Sequence, residues 1–419
     1  MKYGLIGEHL PHSFSKEVHA KIAPYSYELC ELERDEVDAF MRARDFEGIN
    51  VTIPYKQTVI PYLTEIDEAA RLIGAVNTIV NRDGKLYGYN TDFYGMKSLI
   101  LRLGLNYEGA KVLILGTGGT SKTAVAVARH LGAADVIVVG RKAGEGVITY
   151  EDAYRLHTDA DQIINTTPCG MYPYPDGKEG MAGTPIDLDR FPKVAGVIDA
   201  VYNPIRTNLV MDAIERNIPA VGGLYMLVAQ AVKAAEYFMG TKLPDELYES
   251  VYRDILASKE NIVLTGMPGS GKSTIGKMLS ESLGRPFCDT DAEIVKNAGM
   301  SIPEIFERDG NDGFRRIESE AVIACANRLQ GAVIATGGGA ILRDDNVRAL
   351  KRTGRLYFLN RSLSKILPTD DRPLSRDREA LEARFRERYP RYLATCDKEI
   401  VMDEIPENTV KAITEDMLQ

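Results

Sequence analysis

Residues Asn261 to Gly284 read NIVLTGMPGSGKSTIGKMLSESLG. An apolar run passes into a glycine-rich turn and then into a segment of helical spacing, so GMPGSGKST at Gly266–Thr274 fits GxxxxGK[ST] in its proper strand-to-helix context. In such a loop the amides from Gly269 through Ser270, Gly271 and Lys272 to Ser273 cradle phosphates, with Thr274 closing the motif. Lys272 reaches the β and γ phosphates, and the Ser273 hydroxyl is offered to Mg²⁺. A glycine loop with a chance lysine would rarely reproduce the whole spacing. The motif on its own specifies the phosphates of ATP or GTP and leaves the acceptor open.

Outward from this loop the same rhythm recurs. KYGLIG, GINVTIP, KVLILGTGG, DVIVVGR, QIINTTP and VAGVIDAVY precede it, and AVIATGGG and RLYFLN follow it, each a short apolar run separated from the next by amphipathic stretches. This alternation predicts an α/β fold of mostly parallel sheets, with ligands at the C-terminal ends of the strands. A second glycine turn follows Leu115, so two nucleotide sites are expected. Leu224 to Ala257 reads as helical. The seam falls at Ser258–Glu260, without a flexible tether. The expected division is 1–95 completed by 223–257, then 96–222, then 260–419.

A chain of 419 residues is long enough for several cores. Its 44% hydrophobic and 26% charged residues are ordinary for a globular protein, and no stretch reaches the roughly 18 apolar residues of a membrane span. The N-terminus carries no secretory signal pattern, so a cytoplasmic protein with no membrane partner is expected. A net charge of −9 argues against a nucleic-acid surface. The five cysteines are widely spaced, have no CxxC pairing, and are expected to be reduced.

The turn after Leu115 reads VLILGTGGTSKTAVAVARHLG, with Gly116, Gly118 and Gly119 placed to let a pyrophosphate approach a helix N-terminus. Ser121 breaks the strict GxGxxG, so the turn alone is a weak signal. The next strand ends in Arg141 and Lys142, where an NAD site carries an acidic residue. Two cations there suit a 2′-phosphate and favour NADP(H).

The first hundred residues place Ser13, Ser15, Asn50, Thr52, Lys56, Asn77, Asn90 and Asp92 just after strand-like runs. Hydroxyls and amides suit a polyhydroxylated substrate, and a lysine with an aspartate suits proton transfer at a carbonyl. Taken singly, the serines read equally well as helix N-caps and the asparagines as turn residues. His12 and His19 have no nucleophile or metal partner in the pattern and read as structural.

Taken in order, the SxS pair, NVTIPYK, GAVNT, NTDFYG, the GxGG turn, NTTPCGM, DAVYNP and GGLYMLVAQ resemble the shikimate dehydrogenase family over residues 1 to about 255. The resemblance implies a substrate lobe and a Rossmann lobe that binds NADP. It makes Lys56 and Asp92 the catalytic pair, has Ser13, Ser15, Thr52, Asn77 and Gln230 hold the substrate's hydroxyls and carboxylate, and puts Tyr202 nearby. Thr123 stands where the family often has alanine.

Around the phosphate loop, FCDTD, SIPEIFERDG, FRRIE, ATGGGA, DRPL and RERYPRY are together similar to shikimate kinase over about 160 residues. That similarity implies Asp291 on the acceptor hydroxyls, Asp289 towards the metal, and Arg315 and Arg388 on the carboxylate, with Glu318 bonded to Arg315. It further implies Gly337, Gly338 and Gly339 against the ring, and Arg372 reaching the transferring phosphate from a lid. The remaining charges of DREALEARFRER read as a solvated helix face. Asn311 replaces a glutamate of the family's pattern, so Arg315 is expected to be less firmly held, and the lid approach is short.

The two resemblances imply consecutive reactions: reduction of 3-dehydroshikimate with NADPH, then phosphorylation of shikimate by ATP and Mg²⁺. A quinate dehydrogenase using NAD, or a scaffold with one inactive site, are the competing readings. A monomer and a homodimer are equally compatible with the sequence.

Overall fold

The computed structural model describes residues 1–10, 13–172, 183–366 and 378–418. The chain divides into two units, Met1–Ile255 and Leu256–Gln419. The first unit holds two six-stranded sheets. Strands β1 (Tyr3–Gly7), β2 (Tyr27–Glu31), β3 (Gly48–Val51), β4 (Glu65–Ile66), β5 (Thr78–Arg82) and β6 (Lys85–Tyr89) lie in the order β2-β1-β3-β5-β6-β4. β1 runs parallel to β2 and β3, whereas β5 is antiparallel to both β3 and β6. The β5–β6 hairpin turns at Asp83 and Gly84, both at positive φ, as a two-residue turn with the right-handed strand twist requires.

The second sheet contains β7 (Lys111–Leu115), β8 (Asp135–Gly140), β9 (Val147–Thr149), β10 (Gln162–Asn165), β11 (Gly196–Asp199) and β12 (Ala220–Val221), all parallel, in the order β12-β11-β10-β7-β8-β9. Successive residues of β7 enter opposite cores. Val112 and Ile114 pack with Ile164 and Ile198, while Leu113 and Leu115 pack with Ile163 and Val197. Burial on both faces explains why these strands are continuous apolar runs. The chain direction across the sheet reverses beside β7, so the glycine turn after Leu115 lies at a topological switch point.

The expected long helical stretch at Leu224–Ala257 is two helices, Leu224–Met239 and Glu246–Lys259. The first ends on Gly240 at φ 66°. Helix Leu224–Met239 packs along helix Thr91–Arg102. A Cβ at Gly95 would sit 2.6 Å from the Met226 carbonyl oxygen, so this close approach needs glycine.

In the second unit β13 (Asn261–Thr265), β14 (Phe287–Asp289), β15 (Val333–Ala335), β16 (Gly354–Asn360) and β17 (Lys398–Val401) form a parallel sheet in the order β14-β15-β13-β16-β17. Here too the central strand alternates, Val263 facing one core and Ile262 and Leu264 the other. Helix Ile302–Arg328 kinks at Gly310, whose φ of 69° is not helical. All five cysteines are free thiols, with Cys288 and Cys325 buried and their sulfurs 3.1 Å apart. Among the described residues no helix is long and apolar enough to cross a membrane.

Candidate active sites

The first unit has a cavity of about 440 Å³ at the C-terminal ends of β1 and β3, lined by Ser13, Ser15, Thr52, Lys56, Asn77, Asp92, Tyr202 and Gln230. It therefore gathers every substrate-side residue expected from the sequence of this half. Lys56 Nζ donates to Asp92 Oδ2 at 2.5 Å, and the two side chains are 27% and 20% exposed. Asp92 occupies the first turn of helix Thr91–Arg102, where the helix dipole favours a carboxylate. Asn77 Oδ1 accepts from the Thr91 amide at 2.7 Å, and the Thr91 hydroxyl lies 3.3 Å from both Asn77 Oδ1 and Gln230 Oε1. Asn77 and Gln230 are thus fixed by a buried threonine that motif reading had not singled out.

Other polar residues prove architectural. Asn90 caps helix Thr91–Arg102 by accepting from the Phe93 amide and donates to the Ala75 carbonyl. Asn50 lines the cavity, yet it accepts from the Tyr27 hydroxyl and donates to Thr78. The N-cap residue of helix Ser15–Ile22 is Phe14, without a side-chain cap bond, so neither serine is the N-cap. Ser13 Oγ accepts from the Ser15 amide at 3.3 Å and donates to Ser15 Oγ at 3.1 Å. His19 is structural: its ring stacks on Tyr27, its Nδ1 lies 2.7 Å from the Tyr25 hydroxyl, and burial pushes its pKa down to about 3. His12 lies outside the described residues.

At the second glycine turn, Gly116 has a φ of 110° and a Cβ there would meet Thr166 Oγ1 at 2.8 Å. At Gly118 and Gly119 a Cβ would meet nothing within 4 Å. Helix Gly119–His130 starts there without a side-chain cap, and its N-terminus fits a pyrophosphate. Arg141 and Lys142 follow β8 directly, are exposed, and have no carboxylate partner among the described residues, which fits a 2′-phosphate. Beside this turn, Asp199 is fully buried at the end of β11. It accepts from Asn165 Nδ2, the Val201 amide and the Thr207 hydroxyl, and its burial pushes the pKa up to about 7. It ties the loops after β10 and β11, the latter carrying Tyr202.

The second unit has a cavity of about 870 Å³ reaching from the phosphate loop to helix Arg378–Thr395. Gly269, Gly271, Lys272, Ser273 and Thr274 line one part, while Ser270 is buried beneath. Lys272 Nζ donates to the carbonyls of Gly266 and Met267, each at 2.9 Å. Ser273 Oγ donates to Asp289 Oδ2 at 2.6 Å, so a hydroxyl and a carboxylate oxygen converge beside the phosphate loop, a donor set suited to Mg²⁺. The other oxygen of Asp289 caps helix Thr290–Ala298 through the Asp291 and Ala292 amides.

Deeper in the cavity a Cβ on Gly337 would lie 2.6 Å from Asp291 Oδ1 and 3.0 Å from Glu318 Oε1, and one on Gly339 would overlap the Arg315 guanidinium. Arg315 donates to Glu318 at 2.5 Å, and Glu318 is 1% exposed. Arg315 is thus held by Glu318, as expected, while Asn311 is exposed, next to the kink at Gly310. Burial raises the Glu318 pKa against the pull of Arg315. Arg388 donates to the Gly338 carbonyl at 3.1 Å, and burial lowers its pKa. Arg361 and Arg384 also line the cavity, and neither was distinguished from surface charge in the sequence. Arg372 and the DRPL stretch lie outside the described residues.

Family comparison agrees with this geometry. Residues 268–418 match the model of shikimate kinase, and residues 5–79 that of the shikimate dehydrogenase substrate binding domain. A shikimate dehydrogenase (NADP(+)) of Clostridium perfringens is 35% identical over 270 residues, covering 60% of this chain and 97% of that protein. One from Halothermothrix orenii is 36% identical, covering 61% and 95%. Among solved structures, a chorismate mutase/shikimate 5-dehydrogenase fusion protein from Clostridium acetobutylicum aligns with a TM-score of 0.56 at 34% identity, covering 60% of this chain and 96% of that one. The Thermus thermophilus shikimate 5-dehydrogenase in complex with NADP(H) and shikimate aligns with a TM-score of 0.53 at 25% identity, covering 61% and 99%. The chain belongs to the shikimate dehydrogenase family through its first unit and carries a shikimate kinase domain in its second.

Proposed function

We propose that this chain catalyses two consecutive steps of the route to chorismate, in the cytoplasm: reduction of 3-dehydroshikimate to shikimate with NADPH, and phosphorylation of the 3-hydroxyl of shikimate with ATP. The carrying observation is that one chain pairs a Lys56–Asp92 couple, set in a cavity of hydroxyls and amides, with a phosphate loop opening on an arginine-lined cavity.

In the first reaction Lys56 protonates or polarises the ketone oxygen, while Asp92 orients the lysine and accepts a substrate hydroxyl. Ser13, Ser15, Thr52, Asn77 and Gln230 hold the remaining hydroxyls and the carboxylate, and Tyr202 borders them. Gly116, Gly118 and Gly119 would hold the pyrophosphate of NADPH, and Arg141 and Lys142 its 2′-phosphate; bound NADPH supplies hydride. Those two cations weigh against an NAD-linked quinate dehydrogenase. Residues 1–95 with 223–257 form the substrate lobe, 96–222 the NADP lobe and 260–419 the kinase.

In the second reaction Asp291 binds the acceptor hydroxyl and takes its proton, while Arg315 and Arg388 grip the carboxylate with Gly337, Gly338 and Gly339 against the ring. Ser273 and Asp289 would hold Mg²⁺, and Lys272 and Arg372 neutralise charge on the phosphoryl group that ATP supplies.

The test supplies 3-dehydroshikimate, NADPH and MgATP to the full chain and follows NADPH oxidation and ADP formation together. Both signals are expected, with ADP lagging NADPH loss. NADPH turnover without ADP would reject the kinase assignment, and an equal rate with NADH and quinate-series substrate would reject the dehydrogenase assignment.

A further inference from the structure

Besides Arg315 and Arg388, the cavity of the second unit is lined by Arg384, a cation that the carboxylate clamp does not require. Arg384 lies one turn before Arg388 on helix Arg378–Thr395, so the two residues share a face, and both line the cavity with Arg315. Arg384 is half-buried. Besides desolvation, the groups acting on it include Arg388 and Arg315, both of which line the cavity, together with Glu387 and Tyr392 of its own helix.

Three guanidinium groups at one part of a cavity repel one another, and the low dielectric of a partly enclosed site strengthens that repulsion. The buried carboxylate facing them, Glu318, is engaged by Arg315, and its own burial works against its charge. Arg388 is 5% exposed, and its Nε is buried with no hydrogen-bond partner among the described residues. A buried guanidinium N–H without an acceptor, beside two further guanidiniums, marks a place for an anion with several acceptor lone pairs.

We propose that Arg384 is a third arm of the carboxylate clamp, binding the acceptor's carboxylate together with Arg315 and Arg388. The proposal rests on the kinase reading above and extends it. Arg384 binds substrate and takes no part in proton or phosphoryl transfer, so its contribution is to acceptor affinity.

The test compares the full-length chain with Arg384→Met, which keeps the aliphatic packing, Arg384→Gln as a second neutral variant, and Arg384→Lys. With MgATP, both neutral variants are expected to raise KM for shikimate about tenfold, leaving kcat and KM for ATP close to wild type, and Arg384→Lys to recover part of the loss. With the methyl ester of shikimate, whose carboxylate is masked, wild type and neutral variants should have equal kcat/KM. Unchanged KM for shikimate in either folded neutral variant, or an equal loss with acid and ester, overturns the proposal. Arg388→Met separates the levels. If it raises KM for shikimate and Arg384→Met does not, only the third arm falls. If neither changes KM while shikimate is still phosphorylated, the assignment of this cavity to shikimate falls as well.

Discussion

Lys56 Nζ and Asp92 Oδ2 meet at 2.5 Å although they stand 36 positions apart, one after β3 and the other in the first turn of helix Thr91–Arg102. Both side chains remain partly open to solvent, so the pair contributes little to stability and is available to a substrate. Asp92→Asn should lower kcat for 3-dehydroshikimate reduction by roughly 10²-fold or more while changing unfolding free energy by less than about 1 kcal/mol. Kinase turnover should stay at the wild-type rate. Steady-state kinetics of both reactions with a denaturant titration check this, and a dehydrogenase of wild-type rate would remove Asp92 from the mechanism.

Gly118 has ordinary extended backbone angles and open space where a Cβ would stand. Alanine there should be neutral for the free chain, within about 0.5 kcal/mol, because nothing in the fold collides with it. In the proposed cofactor site, a Cβ at this position would stand where the pyrophosphate approaches the turn. Gly118→Ala is therefore expected to raise KM for NADPH about tenfold or more at unchanged melting temperature. A variant that binds NADPH as tightly as wild type would place the pyrophosphate elsewhere.

Arg141 and Lys142 sit at the end of β8 without a carboxylate neighbour among the described residues, and their cost or benefit comes from the ligand. Replacing both with serine should lower kcat/KM for NADPH by about 10²-fold and leave that for NADH within a few-fold, since NADH lacks the phosphate they are proposed to bind. The ratio of the two coenzymes is the measurement. Its persistence would show that other groups read the 2′-phosphate.

Asp199 gives a pH dependence of definite sign. Its burial raises the carboxyl to about 7 against an ordinary value near 3.8, so in the folded state it keeps a proton that the unfolded chain releases. Between those values stability falls as pH rises, and above about 7 this contribution levels off. Asp199→Asn fixes the neutral form and retains an amide for the Thr207 hydroxyl. The variant should lose the decline of stability between pH 4 and 7 contributed by this group, a matter of at most a few kcal/mol. Chemical denaturation at several pH values tests it; parallel curves for the two proteins would assign the carboxyl an ordinary pKa.

Much of this was legible because parallel strands buried on both faces must be apolar throughout. The runs at Lys111–Leu115, Gln162–Asn165 and Asn261–Thr265 could hardly be anything else, and the glycines after them marked both nucleotide turns. Less visible was the β5–β6 hairpin, although Asp83-Gly84 is a strong turn signal, because the alternation around it is diluted by Asn81 and Gly88. Side-chain roles were legible only where a motif specified them. Asn90 and Lys56 look alike in sequence as polar residues after strands; the motif paired Lys56 with Asp92, but only the fold shows that Asn90 caps a helix. Arg384 was hidden by its neighbours: in EARFRERYPR the arginines crowd every face of a helix, and whereas Arg388 was marked by its motif, Arg384 is distinguished by packing alone.

Among the described residues, none that lines the cavity of the first unit lines that of the second. Because both nevertheless belong to one translation product, a cell makes the two catalysts in fixed one-to-one number. Gene expression cannot rebalance the steps against each other; only the turnover and saturation of each site can, and selection on either rate must act through substitutions within its own half.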